Sequence, residues 1–342
     1  MKKRFFALIL IITLIAVTAI GCTNDNGEAE INTNNEETNE PGEETAPVIE
    51  PEEIPEFITI KDMRFETSLT ELNIEGQELT NADIEPLKYM VSLTWLSLNN
   101  NYISEISSLA GLTNLTVLGL AENSISNISP LAGLTELTRL YIYDNQISDI
   151  SHLSGLTKLR ELGLDSNGIS DISPLAGLTD LTWLNLHSNY ISDLSPLTGL
   201  ANLTQLVAYS NQINDVSPLA ECTNLEGLFL QVNKISDISP LAGLTNLANL
   251  SAHSNEIRDI SPLAGLTNLS ELYIELNQVS DISVLAGLTN LKGLSIGYNP
   301  FTDISVLFGL TNVERLFLNR ISISDEQLAE LATALPNTQI IR

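Results

Sequence analysis

The stretch Leu181-Thr-Trp-Leu-Asn-Leu-His-Ser-Asn189-Tyr-Ile191-Ser-Asp-Leu-Ser-Pro-Leu-Thr-Gly-Leu200 holds a strand, a turn and a return segment within twenty residues. Leu184 and Leu186 alternate with Trp183, Asn185 and His187, the period-two pattern of a strand with one buried face. Asn189 then turns the chain off the strand, a place where an amide side chain bonds backbone groups of the turn. Ser195-Pro196-Leu197 starts with a turn residue and a proline, which predicts a short 3₁₀ or helical turn on the opposite side.

The unit recurs every 22 residues. Its register is carried by Asn101, Asn123, Asn145, Asn167, Asn189, Asn211, Asn233, Asn255, Asn277 and Asn299. A unit this short cannot bury its own apolar face, so consecutive units must stack, leucine on leucine. Twelve short parallel strands are expected, making a sheet roughly 55 Å long at the usual interstrand spacing. Asn189, in the middle, is expected to find partners in the turns on both sides. Ala208 and Ala252 replace the third inward leucine of their strands, and Cys222 stands where other units carry leucine, so it reads as a buried apolar thiol.

The frame L-x-x-L-x-L-x-x-N-x-I resembles the short class of leucine-rich repeats. It is closest to the 22-residue repeats of bacterial internalins, and to those of intracellular phosphatase regulators. The resemblance runs from about Leu69 to Ile340. It implies an α/β solenoid, a leucine-rich-repeat superhelix with a parallel concave β-sheet and 3₁₀ or short helical turns on the convex side. Residues 57–68 are expected to cap its N-terminal end and residues 324–342 its C-terminal end, with repeats over about 69–323. Ser324 is placed to cap a helix reaching about Ala334, and Pro336 to Ile340 close the array.

The first 56 residues read differently. Lys2, Lys3 and Arg4 precede a sixteen-residue apolar run, short for a membrane span and long enough for a signal peptide. It ends in Ala19-Ile20-Gly21-Cys22, which resembles the lipobox of bacterial lipoproteins although Ala19 stands where leucine is commoner. The resemblance implies a signal peptide of residues 1–21 and a lipid on Cys22. Residues 22–56 carry twelve acidic and no basic side chains, a disordered spacer by composition. The protein is thus expected to be exported and held by its lipid on the extracellular face of the cell membrane.

With 15 Lys and Arg against 43 Asp and Glu, the chain carries a net charge of −28. Nucleic acid and anionic membrane surfaces select for basic patches and are poor partners. Columns that stay constant between units serve the scaffold, whereas those flanking the inward leucines vary and face the concave side. Those variable columns hold eight of the eighteen aromatics, Trp95, Tyr141, Tyr143, Trp183, Tyr209, Phe229, Tyr273 and Phe317, together with His187 and His253. Trp95, Tyr141, Tyr143, Trp183, His187, Tyr209, Phe229, His253 and Tyr273 are the candidate partner-binding residues, because exposed aromatics mark contact surfaces. Plain cross-strand packing is the alternative. His187 and His253 lie three units apart, about 14 Å, too far for one metal ion.

A second ladder runs Asp149, Asp171, Asp193, Asp215, Asp237, Asp259, Asp281 and Asp303, with Glu105 and Asn127 in the matching earlier positions. These carboxylates either accept the N–H groups of the following turn or bind Ca²⁺ weakly. No arrangement of nucleophile, acid and base is legible, so neither catalytic residues nor a cofactor are expected, and metal ligands are assigned to none of the side chains. The expected function is that of a monomeric surface protein binding a protein partner. A carbohydrate or cell-wall glycan, stacked on the aromatics, is the alternative. The export signal argues against a phosphatase regulator.

Overall fold

The computed structural model describes residues 53–342. The proposed signal peptide, Cys22 and nearly all of the spacer lie outside the described residues. At the N-terminal end, β1 (Phe57–Ile60) and β2 (Met63–Glu66) pair as an antiparallel hairpin, with Ile58 and Ile60 buried. This hairpin closes the first leucine layer where no preceding repeat exists to do so.

Thirteen strands then form one parallel sheet in chain order. They are β3 (Glu71–Asn73), β4 (Trp95–Ser97), β5 (Val117–Gly119), β6 (Arg139–Tyr141), β7 (Glu161–Gly163), β8 (Trp183–Asn185), β9 (Gln205–Val207), β10 (Gly227–Phe229), β11 (Asn249–Ser251), β12 (Glu271–Tyr273), β13 (Gly293–Ser295), β14 (Arg315–Phe317) and β15 (Gln339–Ile341). Pairing is in strict register, Leu162 against Leu184 and Leu184 against Leu206. Identical residues therefore stack in columns. The repeat spacing alone accounts for twelve of the strands. The thirteenth is β15, which pairs with β14 after the helix α1 (Asp325–Ala334) has carried the chain back. Its three residues lie just past Pro336, too short a segment to show a period.

The helix begins as expected at Ser324, whose hydroxyl accepts the N–H of Gln327 at 3.2 Å. On the convex side the Ser-Pro-Leu segments form 3₁₀ turns, such as Ser195–Leu197. The inward-facing leucines and isoleucines of every repeat are buried in a single continuous core. Ala208, Ala252 and Cys222 are buried with them.

The repeated asparagine joins neighbouring repeats. The Nδ2 of Asn189 donates to the carbonyls of Leu164, Leu186 and His187 at 3.0, 3.1 and 3.3 Å, and its Oδ1 accepts the N–H of Ile169 at 3.0 Å. Its partners lie in its own turn and in the preceding repeat, not on both sides. The following repeat supplies its own asparagine, since Asn211 donates to Leu186 at 3.0 Å. A second row, absent from the sequence reading, links the opposite edge. Asn202, Asn224 and Asn246 each donate to a carbonyl one repeat back, at 2.8–3.0 Å.

Just before each laddered asparagine the backbone turns into the left-handed region, as at Ser188 (φ 54°) and Ser210 (φ 54°). The residue there still donates to the next strand, Ser188 N–H to the Tyr209 carbonyl at 3.0 Å. The ladder ends and the turn begins at one residue, which is why positive φ recurs.

The aspartate ladder belongs to the turns. Asp237 accepts the Ser239 N–H at 2.8 Å and the Ser239 hydroxyl at 3.0 Å. Asn127, in the matching position, accepts the N–H of Ser129 at 3.0 Å. Among the described residues no three His, Cys, Asp or Glu side chains gather around one point that could hold an ion.

Candidate concave-face site

The concave columns carry every candidate residue in a partly buried position. Five of them form two groups near the centre. Tyr141 and Trp183 approach edge to face, ring centres 6.3 Å apart and planes at 65°. His187 lies flat on Tyr209, 4.3 Å apart with planes at 8°. Tyr143 joins the first pair over Gly163. A Cβ on that glycine would stand 3.4 Å from the Tyr141 ring, 3.6 Å from Tyr143 and 3.7 Å from Trp183. Without a side chain at 163, the three rings converge over the backbone. Trp95, Phe229, His253 and Tyr273 share the face, but among the described residues no ring stacking links them to either group.

A polar framework that sequence reasoning did not single out holds the rings. Asp165 receives His187 Nε2 at 3.1 Å and Asn185 Nδ2 at 2.8 Å. Glu161 receives the Tyr141 hydroxyl, and Arg139 Nε at 3.1 Å. The arrangement recurs near the C-terminal end, where the Tyr273 hydroxyl donates to Glu271 at 2.5 Å and Arg315 reaches the same carboxylate at 3.1 Å. Arg315 and Glu271 stand two strands apart, and Gly293 between them leaves the space, since any Cβ there would collide with the Glu271 carboxylate. The signal for this framework was in the sequence. Asp165 stands one repeat before His187 in the same column, and Glu161 stands beside Arg139 in register.

Burial, and then the bond to Glu161, hold the Tyr141 phenol far above its ordinary range. Burial and the bond to Glu271 push Tyr273 up to about 12. Burial followed by the charges of Glu122 and Asp165 raises Tyr143, and burial followed by Asp165 raises Tyr209. All four phenols therefore stay neutral at physiological pH, and the site presents rings and hydroxyls against a background of carboxylates.

His187 also touches Ser188, Nδ1 to Oγ 3.0 Å, so serine, histidine and aspartate fall in line. The contact is no built nucleophile. His253 and Ser254 repeat it at 3.1 Å with no carboxylate bonded to the far nitrogen. Adjacent positions on either side of the left-handed turn bring the two side chains together wherever histidine precedes serine.

Strand register, laddered asparagines and 3₁₀ turns define the class as leucine-rich-repeat solenoids. Two leucine-rich-repeat family profiles match, one over residues 135–177, 179–221, 201–243 and 245–287, the other over 67–125. Among solved structures, an internalin (inlF) of Listeria monocytogenes is 39% identical, with 82% of this chain and 83% of that one covered and a TM-score of 0.79. Internalin C2 of the same organism is 40% identical over 57% of this chain and 83% of its own, with a TM-score of 0.53. A leucine-rich-repeat protein of Leptospira interrogans is 25% identical, covering 75% and 68%, with a TM-score of 0.71. No curated protein matches the chain. The chain belongs to the internalin-type leucine-rich-repeat family, whose fold generally serves protein–protein interaction. Among the described residues no helix is long and apolar enough to cross a membrane.

Proposed function

We propose that this protein is exported, held at the outer face of the cell membrane by a lipid on Cys22, and binds a protein partner through its concave sheet. The observation that carries the binding reading is the grouping of Tyr141, Tyr143, Trp183, His187 and Tyr209 within four consecutive repeats, those of β6 to β9, held by neighbouring side chains and still partly open to solvent. Rigid aromatics fixed by a second layer of hydrogen bonds lose little entropy on binding and supply the anchors of interfaces. The residues serve recognition and are given no catalytic role. The protomer acts alone, and residues 22–56 are the spacer between lipid and repeats.

A photoreactive residue placed at Tyr143, on intact cells in contact with host or neighbouring cells, tests the binding reading. A discrete protein adduct from Tyr143, and none from Ala176 on the convex side, is expected. Adducts from Ala176 alone would place the interface elsewhere. Saturable binding on a glycan array, with no protein adduct, would favour a carbohydrate ligand stacked on the same rings. The anchor is tested separately, since a labelled fatty acid should mark the wild-type chain and not Cys22→Ser.

A further inference from the structure

The left-handed residue before each laddered asparagine is polar at the first six of ten positions, as at Asn100, Asp144, Ser188 and Ser210. Asparagine, aspartate and serine tolerate that backbone, whereas a β-branched or bulky side chain is strained there. Over the last four positions the column changes to Val232 (φ 58°), Leu276 (φ 56°) and Tyr298 (φ 55°), with only Ser254 polar among them. These three side chains are 47%, 48% and 47% exposed. Both features are unfavourable in the free chain.

Immediately behind this ridge, in the neighbouring concave column, stand Gln231 and Glu275. Gln231 Oε1 and Glu275 Oε2 are buried and have no hydrogen-bond partner. His253, between them in the column, has its Nδ1 engaged by the Ser254 hydroxyl at 3.1 Å. Acceptors without donors, behind an apolar rim, call for a group that is apolar along its stem and rich in donors at its tip.

We propose that this ridge and its two acceptors seat a segment of a protein partner that carries a lysine or arginine side chain. The methylene stem lies on Leu276, and the Glu275 side chain turns outward to meet the cationic head; Gln231, two repeats or about 10 Å away beside Val232, meets a second donor of the same segment. An apolar segment would leave both oxygens unpaired, and an acidic one would be repelled by Glu275 and by a chain of net charge −28. The rim extends over three repeats, about 14 Å. That is longer than one side chain, so the cation belongs to a polypeptide segment whose flanking residues reach Tyr298. The proposal rests on the reading that the concave side binds protein, but its residues differ from the central aromatics.

Selection of a random heptapeptide phage library on the full chain tests it, followed by fluorescence anisotropy with the synthetic winners. Selected peptides should be enriched in Lys or Arg next to apolar residues. Glu275→Gln should weaken them at least tenfold, and replacing the peptide's basic residue by norleucine should do the same. Asp237→Asn, which removes one charge on the convex side, should leave affinity within twofold and so excludes a general charge effect. Val232→Asn and Leu276→Asn relieve the strained backbone, so both should raise the melting temperature while weakening the peptide several-fold. Loss of binding in a more stable protein cannot come from unfolding. Winners that lack a basic residue, or that bind Glu275→Gln as well as wild type, overturn the proposal. Winners lost only in a Trp183→Ala/Tyr209→Ala double variant overturn it while leaving the concave-face reading intact. Failure to select any peptide counts against both. Glycan-array binding that depends on Glu275 would replace the cation with a hydroxyl donor.

Discussion

Asp165 and His187, one repeat apart in the same concave column, meet at 3.1 Å with side chains only 8% and 12% exposed. The contact fixes the imidazole while its face rests on Tyr209, and Asn185 holds the other carboxylate oxygen. Asp165→Ala should therefore act twice. It leaves two buried donors without an acceptor, costing about 1–3 kcal/mol in a denaturant titration. It also frees the ring, so the ring-current shifts linking His187 and Tyr209 in an NMR spectrum should collapse. Unchanged shifts would mean that stacking alone holds the imidazole.

The two asparagine rows should differ in weight. Asn189 is buried and satisfies three carbonyls and one N–H, so Asn189→Ala should destabilise by about 1–3 kcal/mol. Asn246 is exposed and makes one bond, to Thr223. Its replacement by alanine should cost no more than about 1 kcal/mol, since water can take over the carbonyl. Equal melting temperatures for the two variants would contradict the assigned register.

Much of this was legible because the repeats are their own control. A 22-residue period with leucines alternating about a strand fixes which side chains face inward, and Ala208, Ala252 and Cys222 fell inside for that reason. Periodicity does not say which neighbours touch. Whether Glu161 takes Arg139, or Asp165 takes His187, depends on rotamers and on the space a glycine leaves, as Gly163 and Gly293 show. The second asparagine row escaped notice because Glu136, Lys158 and Asp180 break it in the middle repeats. The apolar left-handed positions were illegible for a stronger reason, because Val232 and Leu276 oppose the local rule that would have marked them as turn residues.

The aspartate ladder predicts a particular acid limb. Asp193, Asp237 and Asp281 have pKa values below the ordinary 3.8, because the serine N–H, then the serine hydroxyl, bonds the charged form. A lowered folded value means that the stabilisation is complete above the unfolded pKa and is lost as pH falls through the folded one. The loss should thus begin near pH 3.8 and deepen below it. Asparagine makes the same backbone bond at Asn127 without titrating. Asp→Asn at several ladder positions should leave the neutral melting temperature close to wild type and flatten its fall in acid. An acid limb of unchanged steepness would assign acid unfolding to other carboxylates.

The central aromatics carry the functional prediction. Trp183 and Tyr209 belong to the variable columns, so neither side chain is part of the leucine core. Trp183→Ala removes the edge partner of Tyr141, and Tyr209→Ala removes the surface against which His187 lies. Each should leave the far-ultraviolet circular dichroism unchanged, because strand pairing and the asparagine row do not involve these rings. Each should weaken the captured partner by about 2 kcal/mol or more, the usual weight of a central aromatic anchor. Losses should fall short of adding for Trp183 and Tyr141, whose rings touch and converge with Tyr143 over Gly163. Enlarging Thr179 or Ala176, which are exposed away from the concave face, should leave affinity untouched. A folded double variant with wild-type affinity would remove binding from the concave centre and leave these rings as cross-strand packing.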